Sequence, residues 1–455
     1  MKNIMKSLFI VAMIATFIFS TLLVFTSCKK ETAETTVTET SAETTVAETT
    51  AAETTAAAEK VTLEFWLYGG VEDNIEWNKK MVEKWNSENP DIQINLTLQS
   101  WETMFEHFQT AASTGTMPDI ARVHGSMVNQ YGTGGFLEPL NNFSDYSQVK
   151  NDYIEGYLNA LNINGQQYGI PQLGLIFILM GNKKMLNDAG YQELPKTWDE
   201  LKETAKKLTV PGKQWGYSII GANTRDFTYR WSEYMFKAGG DVLNSDWTKS
   251  LVTEPAWEGA VQLFADMKKE GSLDPAFLAT DFEGQLNKIA GNQVAMWLEG
   301  GYIVGPIAGK APNMELLYGA VPAPAEALGK SPQGTLQDII MVCMSSASKH
   351  KEAAWKFLKW YTGPEADKDY VLYPELGGLP VCNASMDLPE WKNIPGFEAY
   401  QAEGATLRAM PAIPTLVELI EQGWAPSILK AVNGDMAVED ALKEAQSKCD
   451  AILSK

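Results

Sequence analysis

The sequence predicts an α/β fold in which mainly parallel sheets are flanked by helices. From residue 61, short strand-like runs alternate with amphipathic helical stretches, and the alternation resumes near residue 165. Strand–helix–strand order calls for crossover connections, which set strands parallel and cover both faces of a sheet. The scale fits as well: 455 residues, 45% of them hydrophobic, suffice for two or three domains.

The elements follow in order. "VTLEFWLYGG" reads as a strand that ends in a glycine pair. In "DNIEWNKKMVEKWNSENP", Trp77, Met81 and Trp85 recur every four residues and Pro90 stops the helix. "IQINLTLQSW" alternates and is β-branched, hence a strand; a helix follows over about 102–113, and "PDIARVHG" gives a short strand. "NGQQYGIPQLGLIFILMGNKKML" reads as a turn, a short strand, a long apolar strand and a helix start. Thr197 and Glu200 stand in capping-box spacing, so a helix begins near 198. Helices are expected over about 226–238, 255–270 and 282–291. "NQVAMWLEGGYIVG" gives a strand, a glycine pair and another helix start. "KEAAWKFLKWYTG" is an amphipathic helix with a glycine stop, and the stretch 413–453 is helical.

The first 59 residues are of a different kind. Lys2 and Lys6 precede an apolar run over 8–25, the layout of a secretory signal. "FTSC" at its end resembles a bacterial lipobox, with Phe25 departing from the usual leucine, and this resemblance makes Cys28 the lipidated residue and 1–27 the signal peptide. The competing reading is an uncleaved membrane anchor with an incidental cysteine. Residues 29–59 repeat "AETT" four times and hold seven Glu, two Lys and no aromatic residue. Such a segment cannot bury enough surface to offset its ordering entropy, so it reads as a disordered tether. As a flexible coil it would span roughly 30 Å.

Composition excludes several classes. A net charge of -20 argues against nucleic acid and against electrostatic adsorption to anionic lipid. The cysteines Cys28, Cys343, Cys382 and Cys449 show no CxxC spacing, and His107, His124 and His350 are not spaced as metal ligands. No metal or cofactor is expected. One disulfide with a free thiol, or three reduced thiols, both remain open once Cys28 is committed. No GxSxG, HExxH or Walker loop occurs, so a binder is expected rather than an enzyme. A surface glycoside hydrolase is the alternative of another class, because paired carboxylates are a spatial and not a sequential feature.

The order of motifs resembles the extracellular solute-binding proteins of ABC importers, in particular the large sugar-binding family with its maltodextrin-binding branch. "ASTGTMPDIARV" looks like the family's small-Gly-x-x-Pro-Asp strand entry, and "GFLEPLNNF" like its next turn. The stretch from "NGQQYGIPQLG" to "LPKTWDEL" resembles its crossing between lobes. "QVAMWLEGGYIVG", "LRAMPAIPTL" and "NGDMAVEDALKEAQSKCDAI" follow in family order, so the likeness runs over nearly all of 61–454. Met180-Gly181-Asn182 departs from the family's aromatic-Asn pair. The resemblance implies a two-lobed periplasmic-binding-protein fold, with 61–171 and 323–372 in the first lobe and 172–322 and 373–455 in the second. It also implies a monomer that closes about a hinge on a sugar, meets the permease subunits of its importer, and is lipid-anchored at the outer face of the cytoplasmic membrane. A polyamine or a peptide is the alternative ligand.

A sugar offers apolar C–H faces to aromatic rings and hydroxyls to polar side chains. Trp77, Trp85, Trp198 and Trp355 fall on helices and are expected in the core. The aromatic candidates for the ligand are Trp66, Tyr68, Trp101, Trp231, Trp297 and Tyr302, read as lying at strand exits or after glycines. The polar candidates are Glu72, Gln99, His124, Gln172, Glu299, Asp338 and Arg408. Asp338 follows a Gly-Thr turn that resembles the family's ligand loop, and Arg408 precedes the "MPAIP" likeness.

Overall fold

A computed structural model of the chain describes residues 60–455 apart from 70–71, 330–333, 337, 374–376, 405–406, 409 and 412. The expected signal, Cys28 and the tether lie outside the described residues, as does the side chain of Glu72.

The first sheet has the strand order Ile92–Ser100, Val61–Gly69, Ile120–His124, Asp338–Met344, Ile170–Leu175. Its first three strands are parallel and come from consecutive strand–helix units, as the alternation predicts. Asp338–Met344 runs antiparallel to both of its neighbours, because the chain enters it on its return from the second sheet. The second sheet is ordered Leu316–Gly319, Phe177–Asn182, Val294–Gly300, Trp215–Ser218, and only its last pair is parallel. Both sheets are therefore mixed.

Each sheet carries its own core. The first gathers Phe65, Trp77, Trp85, Trp355, Phe357 and Tyr361. Trp85 Nε1 donates to the Ile92 carbonyl at 2.8 Å, which ties the helix Glu72–Glu88 to the strand it precedes. The second core holds Trp231, Trp257 and Trp424, and a smaller third holds Trp297, Trp391 and Tyr400. The capping box forms at Thr197 and Glu200 and starts the helix Trp198–Leu208. Trp198 is half-buried against the second core and donates to the Pro322 carbonyl at 3.0 Å.

The chain crosses from the first sheet to the second between Leu175 and Phe177. The return lies later than the expected residue 323. Ala323 still bridges Thr197, and Thr335 and Leu336 bond Glu233 in the second lobe, so the first sheet is re-entered only at Asp338. The last crossing is also later than 373, since Val381 and Cys382 still pack in the first core. Beside it Gly377, at φ +63°, passes so close to Gly301 that a Cβ would sit 1.9 Å from the Gly301 carbonyl carbon. Only glycine allows both the backbone conformation and the approach.

Among the described residues no cysteine is in a disulfide; Cys343 and Cys382 lie in the first core and Cys449 in the second. Burial pushes the Cys343 thiol up to about 12, so it is inert at neutral pH. Among these residues, too, no helix is long and apolar enough to cross a membrane, and no group of three or more His, Cys, Asp or Glu could hold a metal ion.

Candidate functional site

A cavity of about 420 Å³ lies between the lobes. The first lobe contributes Asn74, Trp101, Glu102, Phe105, Arg122, His124 and Asp338; the second contributes Arg225, Asp226, Tyr229, Arg230, Asp281 and Tyr302. Its size falls in the range of small-molecule sites.

The first-lobe floor comes from the strand Ile120–His124, which is buried along its whole length. Alternation puts Arg122 and His124 on one face. His124 Nδ1 accepts from the Ser126 amide at 3.2 Å and so caps the turn Gly125–Met127. The proton therefore sits on Nε2, which meets Asp338 Oδ1 at 2.8 Å. Arg122 Nε donates to Gln172 Oε1 at 2.9 Å, and its Nη1 to the Tyr68 carbonyl at 3.0 Å. Burial pulls the Arg122 pKa below its ordinary value.

The second-lobe wall is the helix Thr224–Lys237, whose N-cap Asn223 accepts from the amides of Arg225 and Asp226. Arg225, Asp226, Tyr229 and Arg230 line the cleft, and the opposite face of the helix feeds the second core. Arg230 makes a two-pronged pair with Glu299, its Nη2 lying 2.9 Å from Oε2. Tyr302 Oη donates to the same oxygen at 2.6 Å. Burial works against the Arg230 charge, but Glu299, Tyr302 and Asp226 together outweigh it and leave the pKa above the ordinary value. The wall is thus a fixed array, braced from behind by a carboxylate.

The lobes touch across the cleft. The Arg225 guanidinium lies 3.9 Å over the Phe105 ring, with Nη2 3.2 Å from Glu106 and Nε 3.1 Å from Glu421. The His124 and Tyr229 rings are 5.1 Å apart. Burial raises the Glu102 pKa, and the nearby charges of Asp226 and Asp281 raise it further against the pull of Arg225 and Arg230.

Of the residues singled out in the sequence, Trp101, His124, Tyr302 and Asp338 come together on the cleft. Glu299 and Gln172 stand directly behind it and hold Arg230 and Arg122. The others, Glu72 apart, lie elsewhere. Trp66 stacks on His107 at 4.7 Å, and the buried Tyr68 hydroxyl bonds His107 Nδ1 at 2.9 Å. Gln99 is half-buried on the edge strand and does not line the cavity. Trp231 is wholly buried against Phe227 and Trp257, because one residue beyond Arg230 is about 100° around the helix. Trp297 is wholly buried two residues before Glu299, roughly 7 Å short of the strand's cleft end. Arg408 instead donates to the Gly240 carbonyl at 2.8 Å and faces Asp241.

Sequence reasoning passed over Arg122, Arg225, Asp226, Tyr229 and Arg230. A signal was present. The chain has 37 basic residues of which only Arg122, Arg225, Arg230 and Arg408 are arginines, and three of these four line the cleft. Arginine's planar fork suits fixed multi-donor contacts that lysine cannot make.

The family model for bacterial extracellular solute-binding proteins matches residues 71–368. A putative binding protein of Brucella abortus is 27% identical over 379 residues, spanning 83% of this chain and 90% of that protein. The diacetylchitobiose binding protein of Streptomyces coelicolor is 23% identical, over 87% of this chain and 90% of its own length. A maltose-bound protein of T. maritima superposes with a TM-score of 0.76 at 20% identity, over 86% of this chain and 100% of that one. Two lobes on mixed sheets, an interlobe cleft and the matched span agree: the chain belongs to the bacterial extracellular solute-binding protein family.

Proposed function

We propose that this chain is the substrate-binding lipoprotein of an ABC importer. It takes a mono- or oligosaccharide into the interlobe cleft and presents it to the permease subunits. The observation that carries this reading is the make-up of the cleft. Trp101, Phe105, Tyr229 and Tyr302 bring aromatic surface, and Asn74, Arg122, His124, Asp226, Arg230 and Asp338 bring hydrogen-bonding groups among it. The sugar ligands named for the Streptomyces and T. maritima proteins support the choice of ligand class. The ligand is bound and released unchanged, and the protein works as a monomer.

Cys28 carries the lipid and residues 29–59 form the tether, which keeps the body close to the permease. One acyl chain holds a protein only marginally, so stable anchoring needs more than one. Cys28→Ala should release the protein from membranes; a variant that stays bound would make the N-terminal run an uncleaved span.

The ligand class is tested by thermal shift against sugars, polyamines and peptides. A ligand at 100 times its Kd adds about 2.7 kcal/mol. A shift with a sugar that is recovered intact supports the reading. A shift only with polyamines or peptides, or loss of the sugar during incubation, overturns it.

A further inference from the structure

Three arginines line the cleft, and they differ in one respect. Arg230 faces Glu299 and Asp226, and Arg225 faces Glu106 and Glu421. Arg122 is 3% exposed, and among the described residues it has no carboxylate partner. Its two bonds go to neutral acceptors, the Gln172 side chain and the Tyr68 carbonyl. Asp338, the acid that lines the cavity on the neighbouring strand, is taken up by His124 at 2.8 Å. A buried guanidinium with neutral partners is a cost to the fold unless something completes the ion pair. Gln172 gives its oxygen to Arg122, and among the described residues its own Nε2 has no partner, so even the support of this arginine carries an unsatisfied group.

We infer that Arg122 is an anion-recognition point in the floor of the cleft, and that the ligand is a saccharide bearing one acidic group. This rests on the saccharide reading above and adds the charge. A carboxylate, phosphate or sulfate oxygen at Arg122 would complete the pair that the protein leaves open. A neutral sugar that put a hydroxyl there would leave the charge uncompensated, which gives the site its selectivity. The remaining cleft acids limit the ligand to one such group. Glu102, Asp226, Asp281 and Glu283 line the same cavity and form an acidic neighbourhood. That neighbourhood accepts hydroxyl donors and repels a second anion.

The test uses the full-length chain in detergent, at fixed ionic strength, with calorimetry and thermal shift. The probes are glucose, galactose, maltose, glucuronate, galacturonate, glucose 6-phosphate and glucose 6-sulfate. At least one acidic probe should bind about tenfold or more tightly than its neutral parent. Uronates against phosphate and sulfate esters identify which anion is meant. In Arg122→Gln the acidic probe and its parent should bind alike, and the unliganded variant should melt at or above the wild-type midpoint. If Arg122→Gln does not fold, Arg122→Lys keeps the charge without the fork and should lose part of the preference. Neutral parents that bind as tightly as the acids, absence of binding by every acidic probe, or a preference that survives in Arg122→Gln overturns the inference. So does an unliganded Arg122→Gln that melts several degrees lower, since the arginine would then be structural. Neutral sugars binding alone defeats only this inference, whereas polyamines or peptides binding alone defeats the saccharide reading beneath it.

Discussion

Glu299→Gln isolates the brace behind the second-lobe wall. The Arg230 and Glu299 side chains are 5% and 0% exposed, so removing the carboxylate charge leaves a buried guanidinium without its main partner. Removing one member of a buried pair costs roughly 3–5 kcal/mol. The Asp226 carbonyl at 2.9 Å and its carboxylate at 3.9 Å remain beside Arg230, which puts the expected loss near the lower end, about 3 kcal/mol. Urea unfolding should show a lower midpoint with an unchanged slope. In a lobe of this size, at roughly 2–4 °C per kcal/mol, the melting midpoint should fall by about 6–12 °C. The double variant Arg230→Met/Glu299→Leu should recover most of this, because apolar replacement removes both charges together. A single variant that loses less than about 1 kcal/mol, or a double variant as unstable as the single, would refute the view that charge pairing holds this wall.

Other expectations separate ligand contacts from packing. Trp101→Ala should raise the Kd for the bound sugar by about 2- to 12-fold with little loss of stability, as for one aromatic contact. Trp231→Ala should instead cost about 3–5 kcal/mol of stability in chemical unfolding, since the ring is wholly buried. Gly377→Ala should destabilise by about 1–3 kcal/mol and weaken binding as well, because its Cβ meets the backbone beside Tyr302; a variant that binds and melts like wild type would exclude a tight crossing there. Burial holds the Glu233 carboxyl well above its usual pKa, and the charge of Glu403 adds to this although the Leu336 amide opposes it. The folded state therefore binds this proton more tightly than the unfolded one, so its stability is full below the unfolded pKa and declines as pH rises toward the folded value. Melts between pH 5 and 8 should show that decline, and Glu233→Gln should flatten it.

Much of the scaffold could be read from local pattern. The strands Val61–Gly69 and Ile92–Ser100 and the helix between them follow from alternation, four-residue spacing and Pro90. The return to the first sheet comes later than the 323 that the resemblance implies, and "VPAPAEALGKSPQG", mostly breakers and small residues, carries no period that would mark it. In the site, His124 is legible because it ends its strand, where ligands gather in open sheets, and Asp338, at the amino end of an antiparallel strand, is legible through the Gly-Thr turn that resembles the family's ligand loop. The helix Thr224–Lys237 was legible as a helix but not as a wall. Its cleft residues Arg225, Asp226, Tyr229 and Arg230 share one face at i, i+1, i+4 and i+5, a stripe that in the sequence reads like any solvated helix face. The side that faces the cleft is chosen by the other lobe, which contacts it only through tertiary structure.

The contacts between lobes set what a ligand must add. Arg225 over Phe105 contributes up to about 2 kcal/mol as a desolvated cation–π pair. Its bond to Glu106, whose side chain is 65% exposed, adds about 0–1 kcal/mol. Shifting an equilibrium from 1:99 to 99:1 takes about 5.5 kcal/mol. In the hinge closure that the family resemblance implies, these two contacts supply part of that energy and a ligand that touches both lobes adds to it. The cleft is built for that division, since His124 and Asp338 lie on one side and Tyr229, Arg230 and Tyr302 on the other. A solute that reaches only one side adds nothing to closure, however well it binds there. In the proposed importer the closed form would then report to the permease that both walls are engaged, and not merely that the cleft is occupied.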